Sequence, residues 1–185
     1  ETIPDSNYGF SKLLSEKLIS SYSNKFKYAI LRYFNVVGAD KKGRTGQIEK
    51  GTLFKNLANN INKNKFKINL YGDDYKTKDG TCMRDYIDIN DLSELHYLSF
   101  ARLRNKSSFT LNCGYNEGVS VIQVIRLFEK IIKKKLKIKK MKRRPGDVSK
   151  IYSDNKKLRN YFKHWKRKVS LINSIKEMIN WEKKI

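Results

Sequence analysis

The sequence predicts an α/β fold. Apolar runs of strand length alternate along the chain with stretches of helical period, and glycine-rich or charged breaks separate them. Hydrophobic residues make up 39% of the 185 residues, a lean supply that still suffices for a core.

Ser6-Asn7 starts a helix over residues 7–22, with Leu13, Leu14, Leu18 and Ile19 as its apolar face. Residues 27–37 read as one buried strand, and 38–51 as a loop rich in glycine and charge. Residues 52–62 form an amphipathic helix. A short strand at 68–71 stops at Gly72-Asp73-Asp74, and the polar stretch 73–80 is turn-rich. A second short strand covers 86–89. Asn90 or Asp91 caps a helix over 91–102. Residues 109–113 form a strand halted by Gly114. Ser120 caps the helix 121–134, where Val121, Val124, Ile125 and Phe128 share a face. A strand at 136–141 carries the densest lysine run of the chain, which reads as an edge where lysine blocks stray pairing. Two short helices close the chain at 155–162 and 171–182.

Lysine and arginine outnumber aspartate and glutamate 41 to 18, giving a formal charge of +23 and a pI near 10.0. That balance invites a nucleic-acid reading. The lysines are scattered, however, with no basic motif interleaved with aromatics and no zinc-finger spacing, so no nucleic-acid partner is expected. A basic surface would also draw in an anionic, phosphorylated substrate. No apolar run is long enough for a membrane span. Cys82 and Cys113 fit neither a disulfide framework nor a metal site and read as reduced thiols of a cytoplasmic protein. His96 and His164 lack partners at ligand spacing and read as structural. The chain opens at Glu1 with no signal peptide, which suggests a segment of something longer.

Tyr8 and Lys12 are four residues apart on the first helix, so their side chains are neighbours on one face. A lysine held there favours phenolate over phenol, and a tyrosine so assisted can act as a general base toward a sugar or alcohol hydroxyl. Taken alone, the spacing fits equally a packed tyrosine beside a solvated lysine.

Three further segments stand with it. Residues 31–39 read Leu31-Arg32-Tyr33-Phe34-Asn35-Val36-Val37-Gly38-Ala39. Residues 71–87 open with Tyr71-Gly72-Asp73-Asp74 and close with Arg84-Asp85-Tyr86-Ile87. Near the end stands Arg143-Arg144-Pro145-Gly146-Asp147. In order and spacing these resemble the UDP-glucose 4-epimerases of the extended short-chain dehydrogenase/reductase family, over essentially the whole chain and most specifically in 71–87.

The resemblance implies a fold, a cofactor and a site. The fold would be the carboxy-terminal part of a Rossmann-type doubly wound sheet, interleaved with a small α/β substrate-binding domain. Segments 1–38 and 84–118 would belong to the NAD-binding domain, and 39–83 and 119–185 to the nucleotide-sugar domain. The cofactor would be NAD and the substrate a UDP-sugar, epimerised at C4 of the hexose through a transient 4-keto intermediate. By the same resemblance Tyr8 is the base and Lys12 binds the NAD ribose, with Tyr33 and Phe34 on the cofactor side. Asn35 contacts the diphosphate, Arg84 and Arg144 clamp the UDP phosphates, and Asp147 takes the uridine ribose hydroxyls. Tyr86 lies near the substrate, and Leu53 and Tyr71 line the uracil pocket. Several have plainer alternatives: Asn35 as a turn residue, Phe34, Tyr86, Leu53 and Tyr71 as packing. The family's homodimers imply a partner surface on the first helix, and Leu13, Leu14 and Leu18 fit that as well as intramolecular burial.

The sequence departs from the pattern in places. Thr52 stands where many relatives carry asparagine and Asp88 where many carry histidine, so neither role transfers. Ile151 occupies a position that varies with sugar size. The glycine-rich nucleotide turn of the family is nowhere in this sequence, so the chain is expected to be a carboxy-terminal half, inactive and unstable alone. Two rivals remain at this point: another NAD-dependent nucleotide-sugar dehydratase or decarboxylase, and a non-catalytic basic binding module.

Overall fold

The computed structural model describes residues 3, 4 and 6–185. Helix α1 spans Asn7–Ser21, and the Ser6 hydroxyl caps it by accepting from Gly9 N at 3.1 Å. Strand β1 is Ala29–Tyr33 and β2 is Asn35–Val37. What the sequence presents as one strand is therefore broken at Phe34, because its partner changes there. β1 runs parallel to β6 (Phe109–Cys113), while β2 runs parallel to β5 (Tyr86–Asp88).

Helix α2 (Leu53–Asn62) is capped by Thr52 and leads into β3 (Lys67–Tyr71). β3 pairs in parallel with β8 (Lys137–Met141) in a separate two-stranded sheet. β4 (Met83–Arg84) lies between β7 (Val119–Ser120), antiparallel, and β9 (Lys150–Ile151), parallel. β7 and β9 are two residues each, too short to leave a periodic signal. The turn before β4 needs Gly80 at φ +74°, where a Cβ would collide with the carbonyl of Asp73.

Helix α3 (Ile89–Leu103) starts two to three residues earlier than the sequence suggests. Its cap is Asp88, which accepts from Asn90 N at 2.8 Å, and neither Asn90 nor Asp91. Asp88 is fully buried and also accepts from Ser174 Oγ at 2.6 Å. Here it is a structural acceptor. Helix α4 (Val121–Ile132) carries a complete capping box between Ser120 and Gln123. Helices α5 (Lys156–Tyr161) and α6 (Leu171–Glu182) complete the chain.

Two apolar cores result. One packs α2, α4 and α6 against β3 and the start of β5, with Leu57, Ile125, Phe128 and Ile175 fully buried. The other packs α3 and α5 against β5 and β6 around Ile87, Leu95, Leu111 and Leu158. Helix α1 joins neither. None of its described side chains is buried, Leu14 and Leu18 are 50% and 63% exposed, and an ion pair from Glu16 to Arg32 ties it to β1. The single apolar face expected on this helix is not there: Leu13, Leu14, Leu18 and Ile19 are spread around the helix, and Leu14, Leu18 and Ile19 are exposed. No helix among the described residues is long and apolar enough to cross a membrane.

Candidate nucleotide-sugar cleft

A cleft of about 1230 Å³ opens between the β1–β2 junction, α2 and one side of the β3–β8 pair, which it follows from Lys67 and Lys137 onward. Phe34 and Asn35, after the carboxyl end of β1, and Arg144, in the loop after β8, open on it, and segments that follow parallel strands commonly build ligand sites. Of the residues assigned a catalytic, cofactor or substrate role from the sequence, all line this cleft except Lys12 and Tyr33.

Tyr8 reaches it from the first turn of α1 and is 73% exposed. The Lys12 ammonium lies 5.2 Å from the centroid of the Tyr8 ring, so the i, i+4 spacing brings the two together as the helix dictates. Tyr33 turns the other way. Its hydroxyl meets His96 Nε2 at 3.1 Å, and the His96 Nδ1 sits 2.9 Å from the Leu92 carbonyl. Phe34, half-buried, and Asn35, exposed, occupy the strand break. Asn35 is fixed there because both its backbone N–H and its side-chain amide donate to the Asp85 carbonyl, at 3.0 and 3.3 Å.

Arg84 on β4 is nearly covered. Its guanidinium donates to the carbonyls of Val148 at 2.6 Å and Met83 at 2.9 Å, and approaches Asp147 at 3.4 Å. A fixed fork of this kind presents its remaining N–H groups in one direction. In the loop after β8, Arg143 is taken up by Asp74 and the Tyr75 ring, which leaves Arg144 to turn to the cleft. Arg144 stacks 4.0 Å from the centroid of Tyr71. The Asn69 side chain, and after it Arg144, hold the Tyr71 phenol below its ordinary range. Tyr86 behaves oppositely: it is 6% exposed, packs 4.9 Å from Phe54, and burial pushes its phenol up. It is a neutral wall of the cleft and of the core at once. Leu53 closes the α2 side, and Thr52 beside it donates to Gln47 Oε1 at 3.2 Å.

The sequence reading missed other lining residues, among them Gln47, Glu49, Asn56, Asn60 and Lys139. A signal existed for some. Leu53, Asn56 and Asn60 share one face of α2 at helical spacing, and Asn69 and Tyr71 share one face of β3 at spacing two. Gln47 and Glu49 lie in a loop with no period to read. Ile151 pairs with Arg84 in register and is 40% exposed, outside the lining. His164 is exposed. Cys82 and Cys113 are buried and unbridged, and burial pushes the Cys113 thiol up to about 12. Among the described residues no cluster could hold a metal ion.

The chemistry of the cleft is that of an anion-binding groove with one exposed phenol at its mouth. Comparison with known proteins agrees. Residues 1–114 match the profile of a family described as the NAD dependent epimerase/dehydratase family. The chain is 33% identical over its whole length to 54% of a UDP-glucose 4-epimerase from Azospirillum brasilense. It is 32% identical over 98% of its length to 45% of UDP-arabinose 4-epimerase 1 from Arabidopsis thaliana. Its fold superposes with a TM-score of 0.91, at 30% identity, on 56% of a UDP-glucose 4-epimerase from Stenotrophomonas maltophila solved with bound NAD and formylated UDP-arabinopyranose; all of this chain is covered. The chain spans about half the length of the curated relatives it matches.

Proposed function

Because the chain belongs to the NAD dependent epimerase/dehydratase family, we propose that it forms the nucleotide-sugar half of an enzyme that interconverts UDP-glucose and UDP-galactose at C4. The observation that carries this reading is the convergence of Tyr8, Arg84, Arg144 and Asp147, from opposite ends of the sequence, on one cleft. Arg84 and Arg144 would take the diphosphate, Asp147 the ribose hydroxyls, and Tyr71 and Leu53 the uracil. Tyr8 would then stand over the hexose and take the proton from its 4-hydroxyl.

The residues present fit a dinucleotide on the α1 side. Tyr8 and Lys12 are exposed, and among the described residues Lys12 is in no ion pair, so its three N–H donors are free for ribose hydroxyls. NAD bound there would supply reversible acceptance of hydride from the sugar C4. Lys12 would orient the ribose, and Tyr8 would hold and return the sugar proton. Residues 1–185 alone are expected to be inactive, since the sequence has no glycine-rich phosphate turn.

The proposed domain division is supported by two separate cores, although Val37 and Tyr86 pack in the core of α2, α4 and α6. Segments 1–38 and 84–118 would complete the NAD domain and 39–83 and 119–185 the sugar domain, with α5 lent to the first. The bare face of α1 fits a homodimer contact or the rest of the intact protein. Two unbridged cysteines fit the cytoplasm. A dehydratase or decarboxylase would need further acid–base groups near Tyr8. Among the described residues the cleft offers only the carboxylates Glu49 and Asp147, and Asp147 faces Arg84.

The test is product analysis of the intact protein given UDP-galactose. UDP-glucose should accumulate to equilibrium, and its absence with NAD present would sink the reading. Arg144→Met should weaken UDP binding, read by calorimetry, about 10- to 100-fold, the worth of a charged contact to phosphate. Among the described residues the Arg144 side chain is held by Tyr71, while its backbone carbonyl, which accepts from Asp147 N at 3.2 Å, is untouched by the substitution, so folding should be unaffected. Unchanged affinity would remove Arg144 from the site.

A further inference from the structure

The cleft wall contributed by residues 47–52 has almost no support of its own. Glu49 and Gly51 line the cleft, Ile48 is 73% exposed, and a Cβ on Gly51 would meet nothing within 4 Å. This segment is suspended between two fixed points. One is Thr52, the cap of α2. The other is the Gln47 carbonyl, which accepts from Lys55 Nζ at 2.9 Å and from Trp181 Nε1 at 3.2 Å. Lys55 is held in turn by Glu182 at 2.6 Å, both side chains being buried.

The grip extends upstream. A Cβ on Gly46 would sit 2.6 Å from the Trp181 ring, so the loop backbone lies flat on the indole. Lys184 Nζ donates to the carbonyls of Gly43 at 3.2 Å and Lys42 at 3.4 Å. Thus the last turn of α6 and the residues after it satisfy the loop's carbonyls, though α6 contributes no side chain to the cleft lining. A buried ion pair is poor stabilisation on its own account, since apolar residues of similar size often serve as well. This one spends a lysine donor on a loop carbonyl, which apolar residues could not do.

We propose that Trp181 and Glu182, acting with Lys55 through the Gln47 carbonyl, are positioning residues that set the 47–52 wall against the nucleotide-sugar. The inference rests on the nucleotide-sugar reading of the cleft. Trp181→Phe removes the N–H and trims the ring that lies on Gly46. In the intact protein it should raise Kd for UDP and KM for the UDP-sugar about five- to tenfold, with kcat within about twofold. Trypsin should cleave after Lys50 several-fold faster, and saturating UDP should slow that cleavage. The double variant Lys55→Met/Glu182→Leu removes the other donor to the Gln47 carbonyl, keeps the Trp181 ring, and carries the same expectation if Trp181→Phe melts below the assay temperature. Folded variants with wild-type KM and wild-type cleavage at Lys50 would overturn the proposal. Wild-type protein that binds no UDP would overturn the functional reading instead. The cleavage comparison needs no ligand and judges the anchor separately.

Discussion

Tyr8→Phe in the intact protein is expected to lower epimerase turnover by about 10²- to 10⁴-fold, the range for loss of a general acid–base group. UDP affinity should stay within about twofold, because a group acting only in the chemical step leaves ground-state binding unchanged. The substitution deletes one oxygen from a side chain that is 73% exposed. Helix α1 buries nothing through its described residues, and its cap is Ser6, so neither packing nor helix start depends on that hydroxyl. The loss would therefore be chemical and not a disguised folding defect. Lys12→Met should lower turnover by a smaller factor and weaken NAD binding, since Lys12 lies against the Tyr8 ring and outside the cleft lining. A fall of less than tenfold for Tyr8→Phe, measured with NAD and UDP-sugar saturating, would show that some other group takes the proton.

Asp85→Ala is expected to destabilise the protein by about 4–5 kcal/mol, a large share of the usual 5–15 kcal/mol of a folded domain. Asp85 is fully buried between two cleft residues, Arg84 and Tyr86. Its carboxylate accepts from the backbone N–H groups of Tyr115 at 3.0 Å, Asn116 at 3.0 Å and Ser153 at 3.2 Å, and from Ser153 Oγ at 2.6 Å. One side chain thus joins β4 and β5 to the turn after β6 and to the segment after β9. Gly114 must be glycine for this to happen, since a Cβ there would lie 2.5 Å from Asp85 Oδ2. Removal strands several buried donors at once, and each buried unmet donor costs about 1–3 kcal/mol before relaxation. Asp85→Asn keeps one acceptor and should fall between the two. Thermal melts would decide the matter: a drop of more than about 10 °C for Asp85→Ala is expected. A shift of only a degree or two would mean that water or a local rearrangement satisfies those donors.

Much of the fold is legible in local sequence because its signals act within a turn or two of chain. Ser6, Thr52 and Ser120 cap helices where the amphipathic period begins, and residues 109–113 form the strand their alternation implies. The motif around Arg84 and the pair Tyr8 and Lys12 were readable as candidates.

Pairing was not legible. The break at Phe34 has no local mark, since it exists only because β1 and β2 lie against different strands. β7 and β9 are strands only because β4 runs between them. The sequence offers Asn90 and Asp91 as caps of α3, and the role fell to Asp88, two residues before Asn90, which Ser174 and the β5 register bury there. Lys55 reads as a surface lysine on an amphipathic helix; only the approach of Glu182 and the Gln47 carbonyl allows it to be buried. Sequence by itself thus determined where helices begin, because hydrogen-bond capping and side-chain period are local, and its resemblance to a family singled out the candidate site residues. The tertiary structure alone decided which of those residues share a cleft and what holds its wall, because those contacts close across most of the chain.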